Sequence, residues 1–126
     1  MLPEPHRLRR HSDFSVTVRR GRRMGRRDLV VHAFDRGQVE ALVVSGSGPR
    51  FGLIVSKAVG PAVIRHRVAR RLRHICADLV GQVSPDTDVV IRALPGAASA
   101  TSAELARQLR AGLTKMNLVV PVSEEP

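Results

Sequence analysis

The sequence predicts one α+β domain, a four-stranded sheet with helices packed on it in the order α-β-β-β-α-β-α. Three observations predict it. A chain of 126 residues is about one domain long and supports a single core. Four runs of strand length, rich in Val, Leu and Ile, are bounded by turn residues, and none approaches the roughly 20 residues that cross a bilayer. Three further segments carry helix caps or apolar residues at helical spacing. Helices and strands mixed in this way call for one sheet covered by helices, a sandwich. Residues 1–126 then form a single domain, with a core at about 7–116 and a flexible tail over 117–126.

The first helix starts at Ser12, read as its N-cap, with Asp13 in the first turn where a carboxylate suits the helix dipole. It stops at Gly21, and Phe14 and Val18 share one of its faces. Two β-rich runs, Asp28 to Phe34 and Val39 to Ser45, flank Asp35-Arg36-Gly37-Gln38, which reads as a hairpin turn. Ser45 to Pro49 is a loop and Phe51 to Ser56 a third strand. A long helix runs from about Pro61, suited to a first helical position, to about Val80. Asp88 to Leu94 is a fourth strand and Pro95 to Ser102 a loop. Thr101-x-x-Glu104 reads as a capping box that opens the last helix, whose apolar stripe is Leu105, Leu109, Leu113 and Met116.

Charge is the informative part of the composition. Twenty-one Lys+Arg against eleven Asp+Glu leave a formal +10. A small domain with that surplus repels itself unless a polyanion neutralises it, and nucleic acid is the usual one. A membrane surface competes, but binding there wants bulky apolar anchors, and Trp and Tyr are absent. The single Cys76 forms no internal disulfide and offers no metal-ligand spacing. The first ten residues hold no apolar stretch of secretion-signal type. A soluble, cytoplasmic protein without a membrane partner is expected. All basic residues but Lys57 and Lys115 are Arg, nine of them between Arg7 and Arg27 and five between Arg65 and Arg73.

At 100° per residue, one arc of the long helix collects Ile64, Val68, Ala69, Leu72, Ile75, Cys76 and Leu79, and should lie on the sheet. The opposite arc collects His66, Arg67, Arg70, Arg71, Arg73 and His74, with no acidic residue before Asp78. A merely solvated face mixes signs, because like charges at i,i+4 cost a few tenths of a kcal/mol per pair. Arg67 and Arg71 repel, as do Arg70 and Arg73, so this arc is read as built for phosphate. Arg65 falls on the apolar side. An unpaired buried guanidinium costs several kcal/mol, so Arg65 is expected to escape past the first turn into a cleft or to be paired.

Ser56-Lys57-Ala58-Val59-Gly60-Pro61-Ala62-Val63-Ile64-Arg65-His66-Arg67-Val68-Ala69-Arg70-Arg71-Leu72-Arg73 resembles the signature of the bacterial ribonuclease P protein component family, S-K-K-x-G-N-A-V-x-R-N-R-x-K-R-x-x-R. Arg7-Leu8-Arg9-Arg10, Asp13-Phe14 and Gly21 resemble its opening. The likeness covers roughly residues 7 to 116. Pro61 and His66 stand for Asn, Ala69 for Lys and His74 for a common Glu; Val18 stands where a second aromatic is frequent.

The resemblance implies a sandwich of this element order with a left-handed βαβ crossover, where general chirality favours the right hand. It implies a subunit that binds a large catalytic RNA and the 5′ leader of precursor tRNA, while the RNA removes the leader by magnesium-dependent hydrolysis. The holoenzyme is then the endonuclease. The protein itself supplies no catalytic residue, binds no metal or other cofactor and implies no protein partner. Carried over by position, Arg65, Arg67, Arg70 and Arg73 match the RNA-binding motif, with His66 a weaker match; Arg71 joins them from the arc. Phe14 matches the aromatic of the leader cleft, between the first helix and the sheet. Val18 shares its face, the strands from Leu29 to Leu42 are the expected facing wall, and Arg9, Arg10, Lys57 and Arg65 are placed to take phosphates.

Other readings stay open on the residues alone. Phe14 is equally a core residue. A basic protein of another ribonucleoprotein, such as the ribosome, fits the charge; a DNA-binding regulator wants two adjacent helices, which the order lacks. An enzyme acting alone finds no H-E-x-x-H, phosphate-binding Gly loop or G-x-S-x-G. His66 and His74 stand about 12 Å apart along the helix, too far to share a metal.

Overall fold

The computed structural model describes residues 2–36 and 48–119. Helix α1 spans His11–Arg20 and is capped two residues before the expected Ser12: Arg10 holds the N-cap position, and its carbonyl accepts the N–H groups of Asp13 and Phe14. Ser12 therefore lies inside the first turn. The start is set from outside the helix, because the Leu8 N–H donates to the Phe51 carbonyl and fixes the incoming chain on a strand. Gly21 ends α1 as expected. A Cβ there would stand 2.4 Å from the carbonyl oxygens of both Thr17 and Ala33, so only glycine lets the chain turn directly into the sheet.

That turn leads into a strand the sequence did not suggest, β1 (Arg22–Gly25), which pairs antiparallel with β2 (Leu29–Asp35). Arg-Arg-Met-Gly has no strand composition; it is an edge strand imposed by the tight Arg26–Asp28 turn and by its neighbour. The expected strand at 39–45, the Gly37-Gln38 half of its hairpin link and most of the following loop lie outside the described residues. The chain continues through β3 (Arg50–Ile54), α2 (Ala62–Leu79), β4 (Thr87–Ala93) and α3 (Ser102–Lys115). The order α-β-β-β-α-β-α holds among the described residues, with β1 as the first of the three strands. Strand order in the sheet is β1-β2-β4-β3, antiparallel except for β3 beside β4, which α2 connects as a crossover.

Central strands are covered on both faces, which is why β2 and β4 read as nearly unbroken apolar runs. Leu29, Val31, Val89 and Ile91 meet α2 and α3 through Val68, Leu72, Cys76, Leu79, Leu105, Leu109 and Leu113, all buried. Gly112 of α3 lies directly over Val31. The opposite face, with Val30, His32, Val90 and Gly52, is covered in part by α1. Pro61 is the N-cap of α2 rather than its first residue, extended at ψ 170°, and its carbonyl accepts the Arg65 N–H. The capping box of α3 is present: Thr101 Oγ1 accepts the Glu104 N–H at 3.1 Å, and the Glu104 carboxylate accepts the Thr101 N–H at 2.8 Å. Part of the loop before it is a 3-10 turn, Pro95–Ala98.

The core reaches past the expected 7–116 span. Leu2 and Leu118 are buried, and Ser84 and Val83 pair with Leu118 and Val119. Two of the scattered arginines are structural. Asp88, 2% exposed, accepts from Arg50 Nε and Nη2 at 2.8 and 2.7 Å and from Arg36; Arg50 also lies 3.5 Å from Asp13 of α1. This cluster ties the ends of β2, β3 and β4 to α1.

Candidate nucleic-acid interface

The long helix divides as its periodicity predicts. Val68, Leu72, Ile75, Cys76 and Leu79 are buried, while His66, Arg67, Arg70 and His74 are exposed. Arg67, Arg70 and Arg73 make no salt bridge or hydrogen bond among the described residues, so their charge is free for an outside anion. Arg71 is partly committed: its Nη1 donates to the Ala100 carbonyl at 2.8 Å and ties α2 to the loop before α3. Four of its five N–H donors remain. Burial pushes the Cys76 thiol well above its ordinary pKa, so it is an inert packing residue.

Arg73 points elsewhere than its neighbours on the arc. It lines a hollow of about 430 Å³ together with Arg7, Leu8, Arg9, Phe14, Phe51 and Gly52. Phe14 is half-buried, and its ring lies on the backbone of β3: a Cβ on Gly52 would come 2.4 Å from the ring's Cζ. Absence of a side chain at 52 is what lets the aromatic ring approach the sheet so closely. The wall that Phe14 meets includes β3, at Gly52; α1 also packs on β2 (Leu29–Asp35), the described strand of the expected stretch from Leu29 to Leu42.

Of the residues expected around the leader cleft, Phe14 and Arg9 share this hollow. Arg10, Val18, Lys57 and Arg65 do not line it. Arg9 pairs with Glu4 at 2.8 Å in an exposed ion pair, an interaction worth little in water. Lys57 is exposed in the turn before α2. Arg65 is half-buried, with its Nε buried and unpartnered among the described residues. Sequence reasoning missed Arg7 and Gly52; the R-L-x-x opening hinted at Arg7, whereas nothing local marks Gly52.

It also missed His32. Register aligns Arg23, His32, Val90 and Gly52 in one row across the sheet on the α1 face. His32 is 4% exposed, and neither ring nitrogen has a partner among the described residues. Its pKa is lowered first by desolvation and then by Arg92 and Arg23. A folded-state pKa below the unfolded value of 6.5 means that the unfolded chain takes up the proton first. Stability from this site is complete above about pH 6.5 and falls as pH drops from there toward the folded-state pKa. Urea melts between pH 5 and 7.5 should show this decline, and His32→Phe should flatten it; an unchanged profile would remove His32 as its source.

Among the described residues no group of three or more His, Cys, Asp and Glu is placed to hold a metal, and no helix is long and apolar enough to cross a membrane. The family model for ribonuclease P matches residues 2–117. A ribonuclease P protein component from Rhodococcus erythropolis is 88% identical over 126 residues, covering all of both chains. One from Nocardia farcinica is 64% identical and covers 94% of this chain and 85% of its own. Among solved structures, the Staphylococcus aureus RNase P protein superposes with a TM-score of 0.75 at 21% identity, covering 90% of this chain and 97% of its own. A helix with a free arginine face, a sheet-backed hollow and relatives alike from end to end agree: the chain belongs to the ribonuclease P protein component family.

Proposed function

We propose that this chain is the RNA-holding subunit of ribonuclease P in the bacterial cytoplasm. It binds the catalytic RNA through the exposed face of α2 and the 5′ leader of precursor tRNA in the hollow at Phe14, so that the RNA cuts the leader away. The observation that carries the reading is the α2 face, where Arg67 and Arg70 stand exposed with no carboxylate among the described residues to meet them. Such a face is repelled by itself and attracted by phosphate. It contains no Asn or Gln, the residues that pair with adenine edges, so it positions a backbone without reading sequence. Magnesium belongs to the RNA's hydrolytic chemistry; the protein contributes cations that offset RNA–RNA repulsion.

Reconstitution with the catalytic RNA tests this. In low-salt, low-magnesium buffer the protein should rescue cleavage of precursor tRNA, and protein without RNA should cleave nothing. Changing Arg67, Arg70 or Arg73 to Ala should weaken binding and reduce the slope of log affinity against log salt by roughly one unit for each phosphate no longer neutralised. Unchanged slopes in all three variants would refute phosphate binding by α2. Ribosomal RNA as the principal species bound in lysate would favour a ribosomal role instead.

A further inference from the structure

We propose that the β1 edge of the sheet is a second RNA-backbone surface, gripping a double-helical segment of the catalytic RNA separate from the one held by α2. The proposal rests on the function proposed above and extends it to arginines which that reading leaves unused. Six of the nine arginines in the N-terminal cluster fall between Arg19 and Arg27, and none of them lies on α2 or lines the Phe14 hollow. Five are exposed, Arg26 alone being half-buried. Strand order puts β1 at the edge opposite β3, about 14 Å away across three strand spacings. α2 joins β3 to β4, the two strands farthest from β1 in that order.

The surface is built rather than loose. At the Arg26–Asp28 turn, the Arg26 N–H donates to the Leu29 carbonyl at 2.7 Å. Asp28 is buried and held from three sides. Its N–H donates to Gln108 Oε1 at 2.7 Å, its carboxylate accepts from Gln108 Nε2 at 2.8 Å, and its carbonyl accepts the Leu94 N–H at 2.9 Å. Gly96 approaches so closely that a Cβ would stand 2.1 Å from Asp28 Oδ1. Arg26 and Arg27 thus stand on a fixed turn beside Arg107 of α3, around a hollow of about 320 Å³. Ordering these side chains against an anion costs less entropy than ordering them on a free loop.

Neutralisation from within is incomplete. Glu104 lines the hollow, but its carboxylate is engaged by the Thr101 N–H of the capping box, and Asp28 is engaged by Gln108 with Arg27 at 3.7 Å. Among the described residues three guanidiniums face two carboxylates there; exposed Arg22, whose Nη2 donates to the Met116 carbonyl at 2.9 Å, adds to the excess, and exposed Arg23 stands on the other face of β1. The ligand class follows from what is missing. The three phenylalanines are Phe14, Phe34 and Phe51, and none lines this hollow. Without an aromatic on which to stack an unpaired base, the surface suits the paired backbone of a duplex rather than a single-stranded leader.

Tethered cleavage tests the proposal on the assembled holoenzyme. Cys76 is buried, so Ala111→Cys, which lines the hollow and leaves every arginine in place, carries the single accessible thiol for an iron–EDTA reagent. His66→Cys on α2 is the reference. The proposal expects scission of the catalytic RNA from position 111 in a duplex segment different from that cut from position 66. Arg26→Ala with Arg27→Ala should reduce the salt slope of assembly by roughly one unit per arginine with the melting temperature unchanged. No scission from 111, scission only at nucleotides also cut from 66, or scission confined to precursor tRNA would overturn it. Silence from both probes, with no binding by the unmodified protein, would instead overturn the proposed function and this inference with it.

Discussion

Replacing Asp88 with Asn should destabilise the protein by about 3 kcal/mol, because it leaves two guanidiniums facing each other without the carboxylate that holds them apart. Asp88 is nearly inaccessible, and the side chains of Arg36 and Arg50 are only 12% and 26% exposed. Hydrogen bonding to Asp88 is also the first cause of the raised Arg50 pKa, with desolvation opposing it. Removing one member of a buried cluster costs about 3–5 kcal/mol; partial exposure of the arginines sets the expectation at the low end. For a domain of this size that is a drop in Tm on the order of 10 °C. Thermal melting checks it, and a shift under about 2 °C would mean that water already screens the cluster. Adding Arg50→Met to Asp88→Asn should recover part of the loss, since one of the two guanidiniums left facing each other is then gone. Arg50 also meets Asp13, so the single variant should loosen α1 and weaken precursor tRNA binding as well.

Phe14→Ala should weaken binding of precursor tRNA by roughly five- to a hundred-fold while leaving mature tRNA unaffected, on the scale of about 1–3 kcal/mol for stacking one base. The competing role is packing, for which deletion of a fully buried Phe costs about 3–5 kcal/mol of stability. Phe14 is half-buried, its ring against Gly52 and lining the hollow, so both effects are expected and the stability cost should fall below that range. Gly52→Ala separates them, because it keeps the ring and pushes it off its floor. It should reproduce the leader-specific loss. Equal effects of Phe14→Ala on precursor and mature tRNA, together with a large fall in Tm, would make the residue packing alone.

What the chain determines locally was legible in it. The capping box at Thr101 and Glu104 requires only residues three apart, and the structure has both of its hydrogen bonds. The two faces of α2 follow from 3.6-residue periodicity, and the free arginine face follows from them. The family signature sits on that same helix and loop, so the charge, the family and the exposed basic face of α2 were all readable there. Tertiary structure decided the rest. The edge strand β1 exists because β2 offers it a partner, not because Arg-Arg-Met-Gly favours extension. The seat of Phe14 on Gly52 joins residues 38 apart in sequence, and the row from Arg23 through His32 and Val90 to Gly52 requires the strand order β1-β2-β4-β3. Arg50, Arg36 and Arg71 carry the same charge as Arg67 in the sequence, yet three of these four are bound to protein oxygen atoms and one has no partner among the described residues. Composition sets how much positive charge the chain carries; only packing, by bringing a carboxylate or a carbonyl within reach, sets which of it is left for RNA.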